Sequence, residues 1–410
     1  MKTAQAVFAA SLLAPAVALA FETVDTLPWP SSGRFPAYGV EARGAPTELW
    51  LQGGIMYDDN LLRLESGAVD DTVTRFGGGF RHAQRVIGRQ NLVVEARADY
   101  YMFDRLNDLN HLGYSAAADW RWELGNKLSG SLLLGRDRRL SDLGETRSAV
   151  RSLVTGTRLT GSAAYLLTPS VRLRGGLGGA ISERNTRADA ETRATSAIAA
   201  VDYVSPLGNA VGLEVRAADG DAPVDEEITG IALVNNDFKE REVSLVATYA
   251  LGPRLRADGR VGRTTREYSE LPSRDFEGTT WRVGGEWLPG NKTSIAVAFF
   301  KEPRSIIDIA AGHVVVKGFT VGPSWAATAK LVFSLRLLHE EREFQGDPRL
   351  ALGLVPLRDE TIDGWRFGIG WEPQRHWQVG LALDTGKRDS NFADRDYDFT
   401  SVSANVAWRY

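Results

Sequence analysis

Apolar and polar side chains alternate with a period of two through one segment after another of this chain. In Asn91–Tyr101, Leu92, Val94, Ala96, Ala98 and Tyr100 share one face, and Glu95, Arg97 and Asp99 share the other. In Tyr114–Leu124, Tyr114, Ala116, Ala118, Trp120, Trp122 and Leu124 oppose Ser115, Asp119, Arg121 and Glu123. The same rule sets Leu173, Leu177 and Ile181 against Arg172 and Arg174, and Leu213 and Val215 against Glu214 and Arg216. It sets Val243, Leu245, Ala247 and Tyr249 against Glu242, Ser244 and Thr248, and Leu331, Phe333, Leu335 and Leu337 against Lys330, Ser334 and Arg336. Successive strand side chains point to opposite faces, so alternation sustained over about ten residues predicts a strand between two different solvents. The pattern keeps one character from about residue 48 onward, with no stretch of helical periodicity.

A soluble β-sandwich would alternate as well. Here, however, the turns sort by length. One set is tight and built of Gly, Pro and Asn, at 86–88, 125–126, 168–169, 206–209, 252–253, 289–291, 323–326 and 373–375. The alternate set is longer and polar, at roughly 58–71, 104–110, 137–147, 184–192, 218–238, 266–277, 302–312, 339–359 and 386–396. Short periplasmic turns alternating with longer outer loops predict an all-β fold, a transmembrane antiparallel outer-membrane β-barrel of about eighteen strands with almost no helix. Phe399, Val402, Ala404, Val406, Trp408 and Tyr410 end the chain on an apolar face. That resembles the C-terminal signal by which barrels reach the barrel-insertion machinery. Trp120, Trp122, Trp281, Trp287, Trp365, Trp371 and Trp377 fall on the apolar parity and are expected to face lipid near the interfaces.

Before the strands, Lys2, the apolar run Val7–Leu19 and the small-residue site Ala18-Leu19-Ala20 predict a secretory signal peptide over 1–20. Residues 21–47 form a Pro- and aromatic-rich lead, with Leu27-Pro28-Trp29-Pro30 and Pro36. It is expected to be an extended periplasmic arm. Alternatively it tucks into the lumen, or binds a periplasmic export partner through Trp29, Phe35 and Tyr38. The barrel is expected to cover 48–410.

Composition narrows the chemistry. With no cysteine, the chain enters an oxidising compartment without disulfides. A net charge of −4 argues against nucleic acid as a partner. The mean hydropathy of −0.21 looks soluble, but lipid-facing and lumen-facing residues cancel in such an average. The five histidines, His82, His111, His313, His339 and His376, form no nucleophile constellation and no metal-ligand spacing. No catalytic residue, cofactor or metal is expected. Gly175–Gly179 lies mid-strand without a following helix, so it reads as strand packing and not as a phosphate loop. The outer loops are acidic (Asp58, Asp59, Asp70, Asp71; Asp219, Asp221, Asp225, Glu226, Glu227, Asp237; Asp389, Asp394, Asp396, Asp398), but their spacing matches no calcium loop. Their plainer reading is solvated charge.

The lumen-facing charges are the candidate site. By parity they include Arg97, Arg121, Arg172, Arg174, Arg216, Arg254, Arg256, Arg260, Arg282, Arg336 and Arg366, with Asp99, Asp119, Glu214 and Glu286 among their acidic company. Basic residues outnumber acidic ones, which predicts a lumen that favours anionic solutes. The same residues could instead pair across neighbouring strands and stiffen the wall.

The first strand reads Leu49-Trp50-Leu51-Gln52-Gly53-Gly54-Ile55-Met56-Tyr57-Asp58-Asp59-Asn60, followed by Leu61-Leu62-Arg63-Leu64. This opening resembles that of the beta-barrel porin 2 proteins, a family that includes outer-membrane barrels of exopolysaccharide biosynthesis operons. The resemblance implies export of a secreted exopolysaccharide. It carries over no catalytic residue and matches only Tyr57, Asp58, Asp59 and Asn60. The expected function is passive conduction of a polysaccharide through a wide, polar, Arg-rich lumen. The alternatives are a general or solute-specific uptake porin, and a plugged structural or adhesive barrel. The expected location is the bacterial outer membrane, with its lipid and lipopolysaccharide as neighbours.

Overall fold

A computed structural model describes residues 46–186, 191–228, 232–304, 313–346 and 356–410. The expected signal peptide and nearly all of the lead segment lie outside the described residues.

The first group of strands is β1 (Thr47–Asp58), β2 (Asp71–Arg85), β3 (Asn91–Phe103), β4 (His111–Leu124), β5 (Leu128–Leu140), β6 (Leu153–Thr168), β7 (Val171–Arg184), β8 (Thr192–Val204) and β9 (Ala210–Asp221). A short hairpin follows, β10 (Glu226–Ile228) with β11 (Ala232–Val234). The second group is β12 (Phe238–Leu251), β13 (Leu255–Tyr268), β14 (Phe276–Trp287), β15 (Thr293–Arg304), β16 (His313–Ala326), β17 (Leu331–Gln345), β18 (Arg358–Trp371), β19 (Trp377–Ser390) and β20 (Tyr397–Arg409). Apart from the hairpin, each strand pairs antiparallel with the next. β20 returns to β1, with Trp408 opposite Leu51 and Val402 opposite Tyr57. The result is a closed 18-stranded barrel of the outer-membrane type. Closure leaves no sheet edge, which satisfies every ladder group without water.

Register carries the two faces round the barrel without a slip. Tyr100, Phe76 and Gly53 stand opposite one another on β3, β2 and β1, all on the outer face. Leu51, Phe76, Leu177, Leu213, Val243, Val283 and Trp371 remain exposed on that face, which suits side chains whose solvent is lipid. Of the expected lipid-facing tryptophans, Trp120, Trp287, Trp365, Trp371 and Trp377 are exposed and Trp122 and Trp281 half-buried.

Three expectations need correction. The turn expected at Pro323–Ala326 is strand, and the reversal falls at 327–330. Pro323 sits opposite Ile295 on β15, and the proline costs β16 one ladder donor toward β17. Phe399 does not join the outer apolar face of β20. It points inward and is buried, with the Arg63 guanidinium 3.5 Å over its ring. Several outer loops are shorter than expected, because the strands run on beyond the apolar belt: β5 to Leu140, β15 to Arg304, β17 to Gln345 and β19 to Ser390. Past the lipid both faces are charged, so alternation of polarity ceases while the strand continues.

Candidate functional site

One outer loop folds inward. Residues 141–152 join β5 to β6, and their base is closed by Ser141 N donating to the Ser152 carbonyl at 2.8 Å. Asp142 caps a one-turn helix, Leu143–Thr146, by accepting from Gly144 N at 2.8 Å. Arg147 ends it in the left-handed region at φ 48°. Leu143 is buried against Met56, Leu61, Leu62, Val73, Phe103, Leu109, Leu140 and Leu153, an apolar cluster inside the mouth of the barrel.

The Tyr57–Asn60 motif builds the wall of that cluster. Asp58 accepts from Arg63 Nη1 and Nη2 at 2.7 and 2.8 Å. Asn60 Nδ2 donates to the carbonyls of Leu64 and Asp398, and Thr400 N donates to Asp59 Oδ1. The motif is thus a staple that ties the first loop to β20. The outer-loop carboxylates Asp58, Asp59 and Asp71 act the same way, Asp71 accepting from the backbone N–H groups of Thr72, Asp104, Arg105 and Leu106.

From the other side of this small helix Glu145 reaches the far wall. Its Oε1 accepts from Arg342 Nη1 on β17 at 3.0 Å and from Arg388 Nη2 on β19 at 2.7 Å. Eight strands separate β6 from β17 one way round, and five separate β19 from β5 the other way. The contact is therefore a chord across the lumen. Burial opposes ionisation of Glu145, but the charges of Arg388 and Arg342, with the hydrogen bond from Arg342, outweigh it and lower its pKa from 4.5 to about 2.

Beyond Arg342 the ion pairs continue along the wall. Arg342 bonds Glu340 at 3.1 Å, Glu340 bonds Arg304 at 3.0 Å, Arg304 bonds Glu302 at 3.0 Å, and Glu302 bonds Arg282 at 2.9 Å. A second run begins at Arg266, which bonds Glu240 at 2.6 Å. Arg216 joins Glu240 and Glu242 at 2.6 and 2.8 Å, and Arg260 joins Glu242 and Glu214 at 3.4 and 2.8 Å. Arg174 joins Glu214 to Asp202, and Arg172 closes the run on Asp202 at 2.8 Å beside the periplasmic turn 169–170. The two runs meet at a recess lined by Arg216, Arg260, Arg266, Arg282 and Arg304 with Glu240, Glu242 and Glu302, and with Glu214 and Glu340 bonded just beyond the lining the charges balance. Arg216 Nε and Nη1 and Arg266 Nη1 are buried there and donate to no described atom. Buried donors of this kind favour an anion.

Of the residues singled out from sequence, Arg172, Arg174, Arg216, Arg260, Arg282 and Glu214 come together in this network. The others lie on the inward face in separate local pairs: Arg97 with Asp99, Arg121 with Asp119 at 2.6 Å, and Arg366 with Asp384. Arg336 faces Arg366 across β17 and β18, and Arg256 faces Glu286 across β13 and β14. Arg254 lies in the turn 252–254, at the end of the barrel remote from the recess. Of the two readings left open, free surplus or cross-strand pairing, pairing describes Arg172, Arg174 and Arg260, each bonded to carboxylates. Their partners Asp202, Glu214 and Glu242 fall on the same inward parity. The parity count missed the outer members of the network, Glu240, Glu302, Glu340, Glu360, Arg266, Arg304, Arg342, Arg358 and Arg388, because nearly all fall in or beside stretches that read as outer loop. A signal was present. Glu302 and Arg304, Glu340 and Arg342, and Arg358 and Glu360 are opposite charges two apart, the spacing that puts both on one strand face. Glu145 had no such signal.

No protein-family model matches the chain, and no curated protein does. Solved structures do. The chain is similar to the outer membrane protein OpdK from Pseudomonas aeruginosa, at 12% identity over 89% of this chain and 99% of that one, TM-score 0.47. It is similar to Pseudomonas aeruginosa OccK2 (OpdF) in complex with glucuronate, at 11% identity over 89% and 97%, TM-score 0.48. It is similar to a BenF-like porin from Pseudomonas fluorescens Pf-5, at 11% identity over 90% and 99%, TM-score 0.49. These likenesses concern the barrel and add nothing to the resemblance to the beta-barrel porin 2 proteins.

Proposed function

We propose that this barrel is an outer-membrane channel for small anionic solutes, conducting passively down their gradient. One observation carries the reading: Glu145 bridges the lumen to Arg342 and Arg388 beside a wall rich in buried arginine donors. The bridge divides the cross-section, so a permeant must be small enough to pass beside it. The charged wall supplies many partly satisfied partners and no single deep well, as conduction needs. Fixed charge in a low-dielectric wall focuses its field into the water between, and the unused arginine donors at the recess, Arg216 Nε and Nη1 and Arg266 Nη1, favour an anion there. Uptake of a small acid fits this better than export of a polysaccharide, since a threading polymer would have to displace the Glu145 bridge along its whole passage. A sealed, structural barrel is the remaining alternative.

Purified, refolded protein in planar bilayers tests the proposal. Anion-directed reversal potential in a salt gradient, with liposome uptake of monosaccharide-sized acids and exclusion of neutral oligosaccharides, is the expected result. Cation selectivity, or passage of long glycans at the rate of small acids, overturns it. Silence in bilayers favours the sealed barrel.

A further inference from the structure

The outer surface carries its own pattern, independent of the lumen. Followed from the apolar belt toward the end with the long loops, each strand meets a first outward-facing charge. On β12, β13, β15 and β16 that residue is Arg241, Arg263, Lys301 and Lys317. On β14, between them, Thr279 stands opposite Arg263 and Trp281 opposite Lys301, and the first outward charge is Glu277, one step farther out. Elsewhere the sign is mixed or reversed: Glu183 on β7, Asp219 on β9, Asp363 on β18 and Asp398 on β20.

The four basic residues are crowded together. Lys301 stands directly opposite Lys317, and Arg241 is diagonal to Arg263, whose direct partner on β12 is Val243. Like charges directly opposite destabilise a sheet unless something anionic offsets them. Two have acidic neighbours, both exposed: Arg263 with Glu277 at 2.9 Å, which lies farther out on β14, and Lys317 with its direct partner on β17, Glu341, at 3.1 Å. Such exposed pairs are weak. Below the row the surface is apolar, with Val243, Val261, Val283 and Phe299 exposed and the Phe299 and Phe319 rings 6.0 Å apart.

We infer that Arg241, Arg263, Lys301 and Lys317 form a binding site for the phosphates of a phosphorylated, multi-acyl glycolipid of the outer leaflet, the lipid A part of lipopolysaccharide. The geometry suits such an amphiphile: a cationic row at headgroup level and an apolar wall for acyl chains directly beneath it. Guanidinium and ammonium donors to phosphate are strong charge-assisted contacts. The inference rests on the outer-membrane placement and not on what the lumen conducts, so each can fail without the other.

The full chain in detergent micelles, titrated with diphosphoryl lipid A and followed by native mass spectrometry, tests it. Binding is expected to fall in the order diphosphoryl, monophosphoryl, dephosphorylated lipid A. Combined R241Q, R263Q, K301Q and K317Q should weaken diphosphoryl lipid A about tenfold or more, the loss of one or two charge-assisted contacts. K387Q on β19, outside the row and paired with Asp389 at 2.7 Å, should leave binding unchanged. Heat-modifiable migration on gels verifies folding of each variant, and single-channel selectivity should be unaltered in all of them. If phosphatidylglycerol binds as tightly as diphosphoryl lipid A, the surface is a general anionic interface and the inference fails. It fails equally if the quadruple variant binds like wild type, or if EDTA abolishes binding, which would place the contact on a metal-bridged acidic residue.

Discussion

The two sides of the barrel's mouth are held by different physics. On the β1 to β6 side the mouth holds an apolar cluster, Met56, Leu61, Leu62, Val73, Phe103, Leu109, Leu140, Leu143 and Leu153, with only separate local ion pairs around it. From β7 to β19 the inward face is a chain of buried ion pairs ending at Glu340, which is fully buried, and Arg388. Apolar packing is non-directional, so it fixes where a loop sits without presenting chemistry to the lumen. Ion pairs in a confined space are directional and costly to leave half made, so they hold a wall in one geometry while keeping charge on display. The loop 141–152 belongs to both, through Leu143 on one side and Glu145 on the other. A constriction anchored by packing alone would not present charge. One anchored by charge alone would be free to slide among equivalent arginines.

Breaking the charged side should have the largest effect. Glu145→Ala removes the buried carboxylate that Arg342 and Arg388 share, leaving them Glu340 and Glu360 alone, at a cost of about 3–5 kcal/mol to the closed loop. Single-channel conductance should rise, and amides of 143–147 should exchange faster with deuterium. Unchanged conductance would remove the loop from the permeation path.

Breaking the apolar side should come next. Leu143→Ala loses about 2–3 kcal/mol by cavity formation in the cluster. The Glu145 ion pairs can still form, so the expected record shows frequent brief openings in place of a uniformly larger conductance. Acid sharpens the same contrast. Because the pKa of Glu145 is lowered from 4.5 to about 2, its contribution is complete above the unfolded value and is lost only as pH falls through the folded one. Conductance should hold steady from pH 7 to pH 4.5 and rise toward pH 2 in wild type, with no such rise in Glu145→Ala.

The smallest effect belongs to the deeper wall. Arg260→Gln removes one partner of Glu214, which keeps Arg174 at 3.1 Å. A loss of about 1 kcal/mol or less is expected, with folding intact and reversal potential shifted toward cations. A shift larger than that of Arg254→Gln, in the turn remote from the recess, would locate the selective field at the recess.

Much of this was legible in the chain itself. Strand faces follow from a period of two, which any backbone segment expresses locally, and the tight turns follow from Gly, Pro and Asn chemistry at single positions. Closure was legible too, since alternating short and long connections over many strands leave few other ways to satisfy every backbone donor in lipid. The inward position of Arg172, Arg174, Arg216, Arg260 and Glu214 needed only parity. What bonds them did not. Glu240, which bonds Arg216, and Glu302, which bonds Arg282, sit where the strand has left the membrane, and there polarity no longer marks the face. Phe399 and Pro323 went astray for a related reason: an inward aromatic and a strand proline are permitted by neighbours on other strands, not by their own segment. Glu145 is the extreme case. Its sequence surroundings describe an ordinary polar loop, and only the ring of strands brings β17 and β19 across from β5 and β6, because circumference converts strands far apart in order into opposite walls of one lumen.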